Sequence, residues 1–519
     1  METPPERSVQ EIALTNPIIL TTILQKTPVS LKDARLVCKF WNDMVLTLPN
    51  TRFAFTLNDE YERRNFEDEE TELKADPLPF FAICSTLDRR LAKRIRATCD
   101  TAALDTPLVI PCINTFAAKL LHFCDKFTDI MQILEFSSIT KTVYHLSSFK
   151  RLLPEFETVT FSFSEYDILN RQILPVVLTP KPNLTMLKLN SQHETTTPSL
   201  IQLVINVSPN LREVTIPWGV YPDFAHTKRL DSLTIALSDL YASDIGHFNP
   251  AEFSRMLRQV DDQLVTLCFG ETNRTIYIFG TRVWNQIEFR LPRKMPKLRK
   301  FRNVLFDVFR CDDVLADLEK MPALETLVIG KTNATKSTAL HEFLQRIFDA
   351  DKILGGVKDL TIIELYDPNL LAGVKTAFPN LVNLRVRTFT GNADWSEMKL
   401  GVVLQACTGW KGLKRLELMV PSYPRQMVGI IQALFDAMEL FKGLKTLKIW
   451  TSDCLYLRYK LTESETDLFE QLLLAMDTMD QVIIRNIEFD EQSMRTILNF
   501  MISNKLSITK FRMFEGQGY

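Results

Sequence analysis

Apolar residues recur along most of this chain in a six-residue unit, apolar-x-x-apolar-x-apolar. It reads Phe156-x-x-Val159-x-Phe161, Leu184-x-x-Leu187-x-Leu189, Leu211-x-x-Val214-x-Ile216 and Leu230-x-x-Leu233-x-Ile235. It continues at Leu264, Leu324, Val357, Leu381, Leu413, Leu444, Met479 and Ile508, with a degenerate copy at Leu298-x-x-Phe301. The alternation in its second half fits a short strand with its apolar side chains on one face. Amphipathic helical patterns lie between units, over 199–207, 253–260, 340–353, 427–440, 466–476 and 493–502. Pro182-Asn183, Pro209-Asn210, Met295-Pro296, Met321-Pro322 and Pro379-Asn380 announce several units, and a proline there stops the preceding helix. The pattern predicts an α/β repeat array, with parallel strands inside and helices outside. One strand–helix unit cannot close its own core, so neighbours must stack. Residues 80–155 carry the weakest pattern, with degenerate opening repeats placed within 116–136.

The N-terminal 12–55 obey a different rule. The helical run after Asn16-Pro17 carries Ile18, Ile19, Leu20, Ile23 and Leu24. These spread over roughly 240° of a helix, far wider than one core-facing stripe. A second run from Leu31 places Leu36, Val37, Cys38, Phe40, Trp41, Met44 and Val45 over about 200°, with Lys32, Arg35, Lys39, Asn42 and Asp43 opposite. A segment of about 40 residues buries only part of such a surface by itself, so the pattern demands a neighbour.

The sequence Pro17-Ile18-Ile19-Leu20-x-x-Ile23-Leu24, then Leu31-Lys32-Asp33, then Arg35-Leu36-Val37-Cys38-Lys39-x-Trp41 resembles an F-box. That helical module docks onto a Skp-type adaptor and through it a cullin. The repeated units are similar to leucine-rich repeats of the longer, helix-containing kind, although the usual Asn after the third apolar position stands only at Asn190. Together the layout resembles F-box proteins with leucine-rich repeats. The resemblance implies a non-catalytic substrate-recognition subunit of an SCF (Skp–cullin–F-box) E3 ubiquitin ligase. It assigns adaptor contacts to Pro17, Ile19, Leu20, Ile23, Leu24, Leu36, Val37, Cys38 and Trp41. One departure stands out: the opening Leu-Pro reads Asn16-Pro17, which removes an apolar contact. The alternative is a non-ligase leucine-rich-repeat scaffold or inhibitor whose N-terminal helices cap the array. The expected boundaries are a polar tail (1–11), F-box (12–55), acidic linker (56–79), curved leucine-rich-repeat solenoid (80–514) and tail (515–519).

Charge refines this picture locally. The acidic 59–76 stretch reads as a solvated linker holding the first module away from the array. The basic run Arg89–Arg96 reads as an exposed helix face. A net charge of -2 gives no global attraction for nucleic acid or anionic membrane, and no run is long and apolar enough to span a bilayer. Nine cysteines without a C-x-x-C pair fit a reducing cytoplasm or nucleus, with Cys38, Cys268 and Cys407 read as buried structural thiols. The six histidines have no ligand-spaced partners. Gly330-Lys331-Thr332 imitates the end of a phosphate loop but has Glu325 where the first glycine belongs. No catalytic, metal or cofactor role is therefore assigned. In each unit the residues flanking the middle apolar position, and the one after the third, point away from the helices. From Leu381 onward these become basic and aromatic: Arg385, Arg387, Arg415, Lys448, Trp450, Arg485, Lys510 and Arg512. Such a stripe suits an acidic or phosphorylated protein target.

Overall fold

A computed structural model describes residues 13–26, 31–48, 55–60, 84–85, 87–88, 90, 94–100, 116, 119–120, 122–123, 126–127, 132–139, 158–163, 180–191, 198–236, 248–270, 287–288, 291–292, 294–305, 309–310, 314–330, 338–388, 398–451 and 457–512. Two compact units emerge: Met1–Leu211 with His226–Lys228, and Arg212–Ala225 with Arg229–Tyr519.

In the first unit three helices, α1 (Pro17–Lys26), α2 (Leu31–Ala34) and α3 (Lys39–Thr47), precede strands β1 (Phe55–Glu60), β2 (Arg94–Asp100), β3 (Ile133–Ile139), β4 (Thr158–Phe163) and β5 (Met186–Ser191). The strands pair in parallel and in sequence order. Helix α4 (Pro198–Asn206) comes next, and its end is tied back where Lys181 N donates to Val207 O at 2.7 Å.

The second unit is an eleven-stranded parallel sheet, again in chain order. Its strands are β6 (Glu213–Pro217), β7 (Ser232–Ala236), β8 (Thr266–Phe269), β9 (Lys300–Asn303), β10 (Thr326–Gly330), β11 (Asp359–Ile363), β12 (Asn383–Arg387), β13 (Arg415–Val420), β14 (Thr446–Thr451), β15 (Gln481–Ile484) and β16 (Phe511–Arg512). Its helices are α5 (Pro250–Arg258), α6 (Val314–Glu319), α7 (Ala339–Asp349), α8 (Leu370–Ala377), α9 (Leu400–Ala406), α10 (Met427–Asp436), α11 (Met438–Phe441), α12 (Glu463–Ala475) and α13 (Glu491–Ser503). Every six-residue unit, and the degenerate copy at Leu298, coincides with one strand from β4 to β16.

The apolar positions explain the stacking. Leu327, Ile329, Leu360, Ile362, Leu384, Val386, Leu416 and Leu418 are all at most 1% exposed and face the helices. One backbone device repeats at every junction from Arg212 to Lys445. The carbonyl before each strand accepts from two successive N–H groups of the next repeat, at 2.7–3.1 Å. Side chains add a second tie: Asn210 Nδ2 donates to Pro182 O at 2.8 Å, and Asn380 Nδ2 to Gly355 O at 2.9 Å. The Pro-Asn signals thus both stop a helix and clip one repeat to the previous one. Helix starts use the same chemistry. Asn249 caps α5 ahead of Pro250, and Thr462 with Glu465 forms a capping box on α12. Gly330 ends β10 where a Cβ would lie 2.7 Å from the Ile363 Cβ. Strand packing therefore requires glycine here.

Several expectations need correction. The sheet begins inside the expected acidic linker, because Phe55–Glu60 pairs along its whole length with Arg94–Asp100. The basic run enters a strand rather than a helix: Arg94 and Arg96 alternate with buried Ile95 and Ala97 and both pair with Glu135 on β3. The first module is not held away from the segment leading into β2, since Arg90 bridges Asp43 of α3 and Asp88, both at 2.8 Å. The rest of the acidic stretch, 61–79, lies outside the described residues.

Candidate interaction surfaces

The N-terminal module divides its apolar residues in two. Leu20, Leu24, Ala34, Val45 and Leu48 form a small core, with Leu31, Phe40, Trp41 and Met44 packed against it. Ile18, Ile19, Leu36 and Val37 remain 77%, 42%, 84% and 62% exposed. Of the residues expected to contact an adaptor, Leu20 and Leu24 are therefore interior. Ile23 and Trp41 are half-buried, while Pro17, Ile19, Leu36, Val37 and Cys38 lie at the surface. Cys38, expected to be a buried thiol, is exposed because it is the extended residue preceding α3. Cys268 and Cys407 are buried, and burial pushes the Cys407 thiol up to about 12.

Asn16 has a positive role. Its Oδ1 accepts from Ile18 N at 2.9 Å and Ile19 N at 3.3 Å, capping α1, while Pro17 occupies the first helical position. The sequence carried this signal in Asn-Pro, a combination favoured at helix starts. An Asn16→Ala change should therefore cost about 0.5–2 kcal/mol of module stability, read as a lower melting midpoint in the chain's thermal unfolding.

On the second unit, register places the chemistry on the sheet face turned away from the helices. One row across neighbouring strands reads Cys268, Arg302, Val328, Thr361, Arg385, Glu417, Lys448, Ile483 and Arg512. The next row sets Arg387 between Ile363 and Met419, with Trp450 beyond. The stripe is not uniformly basic. Glu417, with only 6% of its side chain exposed, takes an ion pair from Arg385 and a second from Lys448 at 3.4 Å. Burial pushes its carboxyl up, but hydrogen bonding and charge from Arg385, and charge from Lys448, outweigh that and hold it below 4.5.

The remaining stripe residues scatter. Arg415 is exposed at the start of β13, and Trp450 is half-buried. Arg485 comes just after β15, its N–H bonded to Ile449 O at 2.9 Å. Lys510 turns to Asp477, at 2.6 Å from its Oδ1, and so serves repeat-to-repeat packing. The Arg512 side chain lies outside the described residues.

Glu417 predicts a signed pH response. Its depressed folded pKa means that its contribution is fully present above about pH 4.5. That contribution is lost as pH falls through the folded value. Between roughly pH 6 and pH 3, the wild-type melting temperature should fall more steeply than that of Glu417→Gln. Parallel curves would remove Glu417 from the acid response.

Two site features escaped the sequence pattern. Arg302 sits in the degenerate repeat, and only its pairing with Cys268 and Val328 sets it in this row. Glu417 looked like one polar position among many, and only strand register reveals two cations converging on it. Among the described residues no group of three or more His, Cys, Asp and Glu is placed to hold a metal. No described helix is long and apolar enough to cross a membrane.

Comparison with known proteins adds little to this geometry. No protein-family profile matches the chain, and no curated protein matches it. Among solved structures, a structural-genomics target from Bacteroides fragilis aligns at 13% identity. The alignment covers 60% of this chain and 68% of that one, with a TM-score of 0.31. A likeness that shallow carries no argument. The fold itself defines an α/β protein built on a long parallel sheet, with one strand per sequence repeat.

Proposed function

We propose that this chain is the substrate-recognition subunit of an SCF-type E3 ubiquitin ligase. Residues 12–55 act as an F-box that docks a Skp-type adaptor and, through it, a cullin. The strand array acts as a leucine-rich-repeat solenoid that holds a protein target for ubiquitination. The function is tethering: it raises the local concentration of target lysines near a ubiquitin-loaded conjugating enzyme, without reaction chemistry of its own. One observation supports this reading best. A module with its own small core leaves Ile18, Ile19, Leu36 and Val37 uncovered, and large apolar side chains left exposed in this way suit a docking partner.

The test is co-elution of the 519-residue chain with a purified Skp-type adaptor and cullin N-terminal domain on size exclusion. A stable ternary peak is expected. Separate elution at micromolar concentrations would remove the ligase reading. The Arg90–Asp43 bridge favours the second reading, a non-ligase scaffold capped by its N-terminal helices. The bridge uses the polar side of α3 and leaves the apolar rim open. Capping alone therefore accounts for Asp43 but not for Leu36 and Val37.

A further inference from the structure

The described sheet face of the second unit carries more cations than carboxylates. Glu417 is already shared by Arg385 and Lys448. Among the described residues, Arg387, two residues along the same strand face, has neither an ion pair nor a hydrogen bond on its Nε, although that atom is fully buried. Its neighbours in register are Ile363 and Met419, both 7% exposed, so its stem runs between apolar walls. Val304, Val328 and Ile363 extend those walls as a small cluster of their own. Arg385 and Arg302 both repel the Arg387 charge, and Glu417, the carboxylate that attracts it, is already engaged. Desolvation and repulsion both work against the charge in this position. A leucine or methionine would fill the same space without that cost. The described residues supply Arg387 with no anion of its own.

We propose that Arg387, with Arg385 beside it and Arg302 at its edge, binds the dianion of a phosphate monoester. Planar guanidinium forks match phosphate oxygens in paired hydrogen bonds, and the apolar collar lowers the local dielectric and strengthens them. Glu417 is the internal competitor. It holds Arg385 in place while the site is empty and shares that side chain with the ligand when it is filled. The inference sharpens target recognition but does not depend on the ligase reading, because it concerns direct binding by the isolated chain. Failure to bind an adaptor would leave it untouched.

Isothermal titration of the 519-residue chain tests it, with phenyl phosphate and a phosphoserine peptide as the two probes. Saturable binding to at least one is expected. Arg387→Gln should weaken it roughly ten- to hundredfold, the worth of hydrogen bonds from a charged donor. The same variant should melt at or above the wild-type temperature, since it removes a repelled charge. Glu417→Gln should tighten binding several-fold by freeing Arg385. Arg495→Gln, exposed on α13 and outside the stripe, should bind as wild type does. A peptide preferred over phenyl phosphate identifies a protein-borne phosphate, whereas equal binding identifies a small ester. The proposal is overturned by an absence of saturable binding, by unchanged affinity in Arg387→Gln, or by an equal loss in Arg495→Gln, which would indicate only a diffuse basic field.

Discussion

Replacing Leu36 and Val37 together by alanine is expected to abolish practical adaptor binding while leaving the chain's melting curve unchanged. Both side chains are largely exposed, at 84% and 62%, so the isolated fold gains little from them. Fully burying a leucine or valine on docking is worth about 1.5–3 kcal/mol each. Alanine keeps a methyl group, so the pair should lose roughly 2–4 kcal/mol, a weakening of about thirtyfold to nearly a thousandfold. Leu20→Ala should behave in the opposite way. Leu20 is wholly buried in the module's core, and a buried leucine truncated to alanine costs about 2–5 kcal/mol. A module this small has little stability in reserve, so Leu20→Ala should melt it and lose the adaptor indirectly. Surface plasmon resonance beside circular dichroism separates the two outcomes. An equal loss of fold from both variants would mean that Leu36 and Val37 pack inward.

The second large effect belongs to the array. Leu416 is fully buried near the start of β13, in register between Leu384 and Leu447. Leu416→Ala should cost about 2–5 kcal/mol by leaving a cavity that the neighbouring strands cannot close. Because each repeat contacts only its neighbours, the damage should stay local. Hydrogen exchange should accelerate in β12, β13 and β14 and remain near wild type in β6, β7 and β8. A uniform acceleration through all eleven strands would show the unit to be a single cooperative core instead.

Legibility in the sequence tracks how strongly each element is patterned. Strands β4 to β16 were legible because apolar residues at alternate positions leave a period-2 signature that loops do not imitate. β2 carries the same alternation, Arg94-Ile95-Arg96-Ala97, yet its crowded cations resemble a solvated helix face. Only its pairing with β1 and β3 reveals the strand. Helices α6, α8 and α9 went unread because each spans two turns or so, too few for a 3.6-residue period to emerge.

At the N-terminus the excess of apolar residues was visible, but not which of them would be spare. Leu20 and Leu36 are equally apolar in sequence, and only the packing of α1 on α3 makes one core and the other surface. Asn16 shows the reverse case. It read as a lost contact and proves to be the cap that starts the helix. On the strand face, composition announced arginine and lysine, but the cancelling role of Glu417 depends on cross-strand register, which composition does not encode.

The most direct test of the central claim is hydrogen–deuterium exchange of the 519-residue chain with and without a saturating Skp-type adaptor. The account predicts slowed exchange in peptides covering 13–24 and 31–45, around Ile18, Ile19, Leu36 and Val37, with β12 to β14 unchanged. Exchange that is unaltered in those N-terminal peptides, or slowed only across the strands of the array, would contradict it.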